Sequence, residues 1–212
     1  MLDEQGFDSW VREYDDYVKE KEEKNEYPFA GYSAVLADIF ERIQQRPHSS
    51  VLDLGFGTAV LTARLYEAGH TIYGQDASEG MLEYAKQKML GAVLLKGDFR
   101  EGLCRELRGR KYDFIIATYS LHHLNDGEKI LFLKELLEVL NPEGEILIGD
   151  IAFSTREKLE ACRAEAGGEW DEEECYFVAE ELRLHFPQLT FLPLSFCGGV
   201  LTIKKTAEKD PE

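Results

Sequence analysis

The sequence predicts an α/β fold in which helices cover both faces of a parallel sheet. From residue 49 onward, short apolar runs typical of strands alternate with single helical stretches, and strands joined by single helices pair in parallel. The first run, at residues 51–54, leads into a glycine-rich turn and then a helix. A nucleotide-binding strand–turn–helix unit begins in this way, so a ligand is expected at the end of the first strand.

Two helices are expected ahead of this alternation. Residues 3–24 form the first, because apolar residues recur at helical spacing in a charged background: Phe7, Trp10, Tyr14, Tyr17 and Val18. Pro28 and Gly31 interrupt it. The second helix runs from residue 32 to 45, is ended by Pro47, and has an apolar face formed by Val35, Leu36, Ile39, Phe40 and Ile43.

The alternating region has a regular order of elements. Strands are expected at residues 49–54, 70–75, 92–96, 112–118 and 145–151, and helices at 58–68, 78–89 and 126–140, with a turn at 141–144. The pattern then predicts two acidic helices, at 155–166 and 171–185, separated by a glycine pair. Two extended runs, 189–194 and 200–204, surround a second glycine pair and predict a terminal antiparallel hairpin. The charged residues 206–212 are expected to fray.

Composition places the chain among large globular domains. With 212 residues and 44% hydrophobic content it can bury a substantial core, and one large α/β domain is expected. Asp and Glu number 41 against 24 Lys and Arg, and the resulting formal net charge of −17 repels phosphate backbones. We therefore expect no nucleic-acid partner. The acidity is interpreted as a source of solubility, or as suited to a cationic substrate or a basic partner.

Cysteine spacing and hydropathy bear on location. The four cysteines are widely spaced without a CxxC pair, and nothing at the N-terminus resembles a signal peptide, so a reduced cytoplasmic compartment is expected. No apolar run approaches the roughly 18 residues of a membrane span. The sequence thus predicts a soluble protein without a membrane partner.

The glycine-rich turn distinguishes between two classes of nucleotide-binding protein. Gly55 and Gly57 allow a tight turn and close approach of a ligand to the main chain, and Asp76 follows about 20 residues later. A dinucleotide-binding dehydrogenase would have a glycine or alanine at Val60, and usually a glycine where this chain has Asp53. The pattern here is instead Asp-x-Gly-x-Gly.

That pattern resembles motif I of the class I S-adenosylmethionine (SAM) methyltransferases, and the resemblance spans roughly residues 48–152. Further landmarks follow in the family's order: residues 74–78 close strand two, 97–99 close strand three, 112–116 and 120–124 form strand four and its loop, and 140–145 lead into strand five. Ala59 stands where many members have a third glycine. The N-terminal pattern Phe7-Asp8-x-Trp10-x-x-x-Tyr14-Asp15 is similar to that of uncharacterised small methyltransferases from Bacillus-like bacteria.

The resemblance implies a Rossmann-like methyltransferase fold with a seven-stranded sheet of order 3-2-1-4-5-7-6, whose strand 7 is antiparallel. The two C-terminal extended runs would be strands 6 and 7. An N-terminal helical lid at residues 1–46, a SAM-binding domain at 47–205 and a tail at 206–212 are expected. SAM would lie across the carboxyl ends of the strands, where the strand order reverses.

The resemblance also implies roles for cofactor-binding residues. Asp76, next to Ala77, would accept hydrogen bonds from both ribose hydroxyls; its alternative role is to cap the following helix, for which Ser78 is better placed. Asp98 would accept a hydrogen bond from the adenine amino group, while the Phe99 amide donates to a ring nitrogen. The alternative for Asp98 is an N-cap of the following segment.

The glycine turn and the N-terminal helix would hold the rest of the cofactor. Gly55 and Gly57 present main chain to the methionine moiety, and Asp53 resembles the acid that orders this turn and the ammonium group; fixing the turn alone is its alternative role. In the family, the N-terminal segment folds over the cofactor as a lid, and a tyrosine there contacts it. Tyr14, followed by Tyr27, is therefore a candidate site residue, with ordinary core packing as the alternative.

His122 and His123 follow strand four, where the family places residues that face the methyl acceptor. One of them is a candidate general base, needed if the acceptor atom carries a proton. Alternatively, one packs against the next helix while the other faces solvent. No metal site is predicted, because adjacent histidines do not chelate as an i, i+4 pair does and no Cys or Glu lies at ligand spacing.

Together these features predict a SAM-dependent methyltransferase that acts on a small-molecule acceptor by in-line SN2 displacement and releases S-adenosylhomocysteine (SAH). The acceptor pocket is expected between the N-terminal lid, the loop at 119–124 and the helices at 154–186. A non-catalytic SAM- or SAH-binding regulatory protein is the alternative. A nicotinamide-dependent oxidoreductase is disfavoured, because the third glycine and a suitably placed Tyr-x-x-x-Lys pair are both missing.

Overall fold

The computed structural model describes Glu13 and residues 16–205. The helices are α1, described at residues 13 and 16–23, α2 (Tyr32–Gln44), α3 (Val60–Glu67), α4 (Glu79–Lys88), α5 (Arg105–Arg108), α6 (Asp126–Glu138), α7 (Arg156–Ala166) and α8 (Ala179–Leu182). The strands are β1 (Ser50–Leu54), β2 (Thr71–Asp76), β3 (Val93–Lys96), β4 (Tyr112–Thr118), β5 (Leu140–Phe153), β6 (Phe177–Val178), β7 (Thr190–Pro193) and β8 (Gly198–Lys204). As far as these helices are described, none is long and apolar enough to cross a membrane.

The strands form one sheet in the order β3-β2-β1-β4-β5-β8-β7. Strands β1 to β5 run parallel, and β8 lies antiparallel between β5 and β7. The predicted order 3-2-1-4-5-7-6 and the antiparallel last strand are thereby confirmed. The additional strand is β6, a two-residue segment that pairs with the end of β5 beside the main order.

Alternation along the central strands separates two apolar cores. Leu52 and Leu54 of β1 pack with α6 on one face, whereas Val51 packs with α2, α3 and α4 on the other. Successive residues of a strand point to opposite faces, so a strand buried on both sides is apolar almost throughout. The exception in β1 is Asp53, which is 1% exposed. A carboxylate buried so deeply needs hydrogen-bond partners, and it lies directly before the glycine turn.

Local side-chain bonds set where several helices begin. Ser78 caps α4, Thr155 caps α7, and Asn125 forms a capping box with Glu128 at the start of α6. Each of these side chains accepts a hydrogen bond from a main-chain N–H that the first helical turn leaves unpaired. Helix α3 has no such cap, since Ala59 before it adopts φ 58° as part of the glycine turn.

The prediction of a helix at residues 171–185 is wrong. The first part of this segment is irregular, and the rest contains β6 and the four-residue α8. Aromatic and β-branched residues at 176–178 favour extended backbone. Tertiary bonds also satisfy the main chain: the Cys175 N–H donates to the His122 carbonyl at 2.8 Å, and the Lys129 ammonium donates to the Cys175 carbonyl. The segment is therefore held as a loop against the end of β4.

The turn predicted at residues 141–144 lies within β5. Tyr112 pairs with Leu140 and Phe114 with Glu145, so the intervening residues bulge out of the ladder. Asn141 in the bulge donates a hydrogen bond to Asp113 at 2.7 Å. Residues that favour a turn thus form an irregularity at the amino end of β5, far from the edge where the strands end.

The described part of α1 contacts the rest of the chain through hydrogen bonds, ion pairs and the ring of Tyr17, which lies 6.1 Å from that of Phe29. Glu22 accepts hydrogen bonds from the N–H and hydroxyl of Ser33, at 2.6 and 2.7 Å, and the Lys21 ammonium lies 3.2 Å from Glu169. Tyr14, together with Phe7 and Trp10 of the predicted helix, lies outside the described residues. The role assigned to Tyr14 therefore stays a prediction.

Candidate active site

A cavity of about 600 Å³ opens at the carboxyl ends of β1 to β4. This is the edge at which α/β sheets bind ligands, and the volume is that of a small-molecule site. The cavity wall brings together several residues singled out from the sequence: Gly55, Asp76, Ala77, Asp98, Phe99 and His123. Gly57 lines a smaller adjoining cavity, which shares Gly55 and Tyr119 with the larger one.

The glycine turn owes its two glycines to different constraints. Both have positive φ, 72° at Gly55 and 51° at Gly57, in the left-handed region that favours glycine. A Cβ on Gly55 would lie 2.6 Å from the Cβ of Ser120, whose hydroxyl donates to the Leu54 carbonyl at 2.8 Å. A Cβ on Gly57 would meet nothing within 4 Å. Gly55 thus permits close packing of the β4 loop, and Gly57 leaves open space.

Asp76 connects the glycine turn to the end of β2. Its Oδ2 accepts the Gly57 N–H at 2.9 Å, and its Oδ1 accepts the Ser78 N–H at 2.8 Å. Burial raises the pKa of Asp76, and these two N–H donors partly offset that effect. Each carboxylate oxygen can accept a further hydrogen bond. Since Ser78 is the cap of α4, the capping role considered for Asp76 falls to Ser78.

Asp53 lies beneath the turn rather than on the wall of the larger cavity. Its Oδ2 accepts a hydrogen bond from the Thr62 hydroxyl, while its Oδ1 has no partner among the described residues. Burial raises the pKa of Asp53 to about 7, against the opposing effect of the Thr62 bond and with a smaller contribution from the charge of Asp76. A buried, unpaired carboxylate oxygen is costly unless a donor or cation approaches it.

Asp98 follows β3 and takes the capping role considered for it, while its contact with adenine stays a prediction. It lines the cavity, and it caps the 3₁₀ turn at Phe99–Glu101 by accepting the Arg100 N–H at 2.9 Å. The Arg100 guanidinium also lies 2.9 Å from its Oδ2. These bonds to Arg100 lower the pKa of Asp98. A ligand that contacts Asp98 therefore shares the carboxylate with Arg100.

The adjacent histidines have different surroundings. His122 is buried, and its Nδ1 lies 2.7 Å from Oδ1 of Asp150, a fully buried residue of β5. The side chain of His123 is 57% exposed and lines the cavity. Burial lowers the pKa of His122, but the stronger combined effect of Asp150 and Glu174 raises it above the ordinary value. Burial and the neighbouring His122 lower the pKa of His123.

Glu174 joins the histidines from the loop that was predicted to be helical. Its Oε1 lies 3.4 Å from Nε2 of His122 and 3.9 Å from Nδ1 of His123. Its Oε2 accepts the hydroxyl of Tyr176 at 2.8 Å, and Tyr176 in turn bonds the hydroxyl of Tyr27. A continuous polar chain therefore runs from the N-terminal segment through Glu174 and His122 to Asp150.

Tyr119 closes the site on the side of the N-terminal segment. It has φ 49°, in a region that side-chain-bearing residues rarely adopt, and its hydroxyl has no hydrogen-bond partner among the described residues. Its ring lies 5.6 Å from that of Phe29 and 5.0 Å from that of Tyr32. Burial raises its pKa well above the ordinary value, so the phenol stays protonated.

Sequence reasoning missed Asp150 and Glu174. Asp150 carried a signal, because it is an acid within the apolar run of a strand buried on both faces. Glu174 carried none, since it stands in a run of acids that reads as a solvated surface. Local spacing could not place it beside His122 and His123, because α6, β5 and α7 lie between them in the chain.

Comparison with known proteins assigns the chain to a family. The family described as Methyltransferase domain matches residues 51–144. An uncharacterised methyltransferase of Oceanobacillus iheyensis is 38% identical over 151 residues, which cover 71% of this chain and 68% of that protein. The chain belongs to the methyltransferase family. A second uncharacterised methyltransferase, of Anoxybacillus flavithermus, is 36% identical over 160 residues, covering 76% of this methyltransferase and 72% of its relative.

Solved structures share the fold of this methyltransferase. Magnesium protoporphyrin IX methyltransferase from Synechocystis, with bound SAH, has a TM-score of 0.64 at 18% identity and covers 83% of this chain and 84% of its own. The DhpI–SAM–HEP complex has a TM-score of 0.64 at 16% identity, covering 93% of this chain and 96% of its own. At these identities the likeness establishes the fold alone.

Proposed function

We propose that this methyltransferase transfers the methyl group of SAM to a small-molecule acceptor. The observation that carries the proposal is the hydrogen bond of 2.9 Å from the Gly57 N–H to the Asp76 carboxylate. It joins an acid at the end of β2 to an open main-chain turn after β1, beside a cavity of about 600 Å³. A nucleoside with a charged tail suits this arrangement, because its hydroxyls need acceptors and its tail needs main-chain contacts.

The residues present fit SAM in three respects. Each carboxylate oxygen of Asp76 accepts one main-chain N–H and can accept a second hydrogen bond, from a ribose hydroxyl. Gly57 has open space where another residue would place a Cβ. Asp53 has a buried oxygen without a partner, which the ammonium group of the methionine part would compensate. Ala77, Asp98 and Phe99 line the part of the cavity where we place the adenine ring.

Bound SAM supplies a sulfonium methyl group: in an in-line SN2 displacement the acceptor's lone pair bonds the methyl carbon, the carbon–sulfur electron pair returns to sulfur, and SAH remains. The task of the protein's own residues is to hold the acceptor in line and to exclude water. Orientation of this kind contributes on the order of 7–11 kcal/mol. We place the acceptor beside His122 and His123, which follow β4 at the same edge as the glycine turn.

The cavity limits the class of acceptor. A volume of about 600 Å³ has to hold SAM as well, which leaves room for a small molecule. The formal net charge of −17 opposes binding of nucleic acid. Tyr27 and Phe29 of the N-terminal segment contact Tyr176 and Tyr119, and Tyr119 lines the cavity, which supports a lid that includes Tyr14.

Turnover measurements test the proposal. The purified protein is incubated with SAM and a panel of small hydroxyl, thiol and amine acceptors, and SAH release is followed by chromatography. We expect acceptor-dependent SAH release that is lost in Asp76→Ala. Tight binding of SAM and SAH without turnover by any acceptor would instead favour the non-catalytic regulatory protein.

A further inference from the structure

We propose that His122, His123 and Glu174 bind one divalent transition-metal ion, of the Zn²⁺ class, at the acceptor end of the cavity. One donor atom from each residue lies within 4.8 Å of the other two. Oε1 of Glu174 is 3.4 Å from Nε2 of His122 and 3.9 Å from Nδ1 of His123. Ligand atoms of a tetrahedral ion at zinc bond lengths are about 3.3 Å apart, so small side-chain adjustments bring all three to bonding distance.

Hydrogen bonds behind the donors orient them toward a common point. Oδ1 of Asp150 is hydrogen-bonded to Nδ1 of His122 at 2.7 Å, so Nε2 is the nitrogen that can bind the ion. The Tyr176 hydroxyl donates to Oε2 of Glu174 at 2.8 Å, so Oε1 is the oxygen that can bind the ion. Metal sites in proteins share this design: a carboxylate fixes the ligating imidazole, and a further hydrogen bond fixes the ligating carboxylate. Ordinary surface histidines and glutamates have no such support.

The loop that carries Glu174 is fixed in place without any ion. The Cys175 N–H donates to the His122 carbonyl at 2.8 Å, so the main chain beside one ligand is bonded to the main chain of another. The Lys129 ammonium donates to the Cys175 carbonyl from the opposite side. The two segments that supply the ligands are therefore prearranged, and little ordering is left for the ion to induce.

The balance of charge at this end of the cavity also favours a cation. Asp150 is fully buried, and its Oδ2 has no partner among the described residues. Glu174 lines the adjacent wall. Two cations of this region already have partners: Lys129 lies 3.5 Å from Asp126, and the Arg100 guanidinium is bonded to Asp98. A divalent ion would compensate the remaining negative charge.

The donor set indicates the kind of ion and its place in the reaction. Two imidazole nitrogens and one carboxylate oxygen suit Zn²⁺ and similar ions, whereas Mg²⁺ and Ca²⁺ prefer oxygen ligands throughout. Three protein ligands leave a coordination position open, as in catalytic zinc sites. His123 and Glu174 both line the cavity, so the open position faces the acceptor.

This placement names a substrate class, and that part of the inference rests on the proposed function. An acceptor with a hydroxyl or thiol would coordinate through its oxygen or sulfur, and the ion would lower the pKa of that group. The proton leaves to solvent water. The lone pair left on the acceptor then forms the new bond to the methyl carbon, and the methyl–sulfur pair stays with sulfur.

Metal binding is tested directly on the full chain. Protein freed of metal by a chelator is titrated with Co²⁺, read by its visible absorption, and with Zn²⁺ by calorimetry. We expect one equivalent of either ion per chain and the intense absorption of four-coordinate Co²⁺. Glu174→Gln should weaken Zn²⁺ binding at least on the order of 100-fold, and Asp150→Asn on the order of 10- to 100-fold. Glu173→Gln is the matched control, because it changes a neighbouring acid of the same cavity wall, and it should leave the affinity unchanged.

Three results would overturn the inference: no stoichiometric binding of either ion, equal loss in Glu173→Gln and Glu174→Gln, or octahedral Co²⁺ absorption. His123→Gln keeps the test decisive if a buried variant fails to fold, because His123 is largely exposed and its loss should still abolish the four-coordinate spectrum. SAM binding is measured on the same samples. Stoichiometric Zn²⁺ without SAM binding would contradict the proposed function alone, and SAM binding without Zn²⁺ would contradict the metal site alone.

Discussion

Replacing Asp76 with alanine should weaken SAM binding by about 2–4 kcal/mol. In the proposed complex the carboxylate accepts both ribose hydroxyls, and a hydrogen bond to a charged group contributes about 1.5–3 kcal/mol. The loss is smaller than the sum of two such bonds, because in the variant water accepts hydrogen bonds from the ribose hydroxyls, and this gives the stated range. At about 1.4 kcal/mol per tenfold change, this corresponds to an increase in Kd of about 30- to 700-fold. Isothermal titration calorimetry with SAM measures it.

Two measurements separate this binding effect from a structural one. Asp76 also accepts the N–H groups of Gly57 and Ser78, so its removal loosens the glycine turn to some extent. Thermal unfolding of the ligand-free variant reports that cost. Asp98→Ala provides the comparison: it removes a carboxylate from the same cavity, but one that is already shared with Arg100, and we expect a smaller loss of affinity. A variant Asp76→Ala that unfolds at a sharply lower temperature, yet binds SAM as tightly as the unaltered protein while folded, would refute the reasoning.

Three further predictions concern the turn and the N-terminal segment. Folding favours the protonated form of Asp53, because burial raises its pKa from 3.8 to about 7. Stability should therefore fall as pH rises through that interval, on the order of 1–4 kcal/mol. Asp53→Asn should reduce this fall in urea unfolding curves, and the remainder comes from Asp76, whose pKa burial also raises. Gly55→Ala should cost about 1–3 kcal/mol in thermal unfolding, because its Cβ would lie 2.6 Å from the Cβ of Ser120. Gly57→Ala meets open space, so it should cost only the roughly 1–2 kcal/mol of a left-handed alanine and should also weaken SAM binding. If the N-terminal segment is a lid, amide exchange at residues 16–23 should slow when SAM binds, and equal exchange with and without SAM would contradict the lid.

Much of the fold, and the pairing of the glycine turn with Asp76 in the site, could be predicted from local features of the sequence. The alternation of strands and helices depends on periodicity within each element, and the strand order followed from the family resemblance. The glycine turn and Asp76 are linked by the strand geometry itself, since β1 and β2 pair in parallel and end at the same edge. These features therefore remain visible without tertiary information.

The remainder depended on contacts between distant segments. The segment at 171–185 has helix-favouring acids, but its main-chain groups bond to His122 and Lys129 instead. These tertiary hydrogen bonds outweigh the local helix preference, and they can form only once the sheet has brought the segments together. Glu174 reaches the histidines only because of this departure from helix, so the error in the predicted element and the missed residue have the same cause.

The most direct test of the central claim is a calorimetric comparison of SAM, SAH and NAD binding to the purified protein. An Asp-x-Gly-x-Gly turn with Asp76 at the end of β2 predicts micromolar-class binding of SAM and SAH, one molecule per chain, and no measurable preference for NAD. Binding of NAD in the absence of SAM binding would contradict the assignment of this site to methyl transfer.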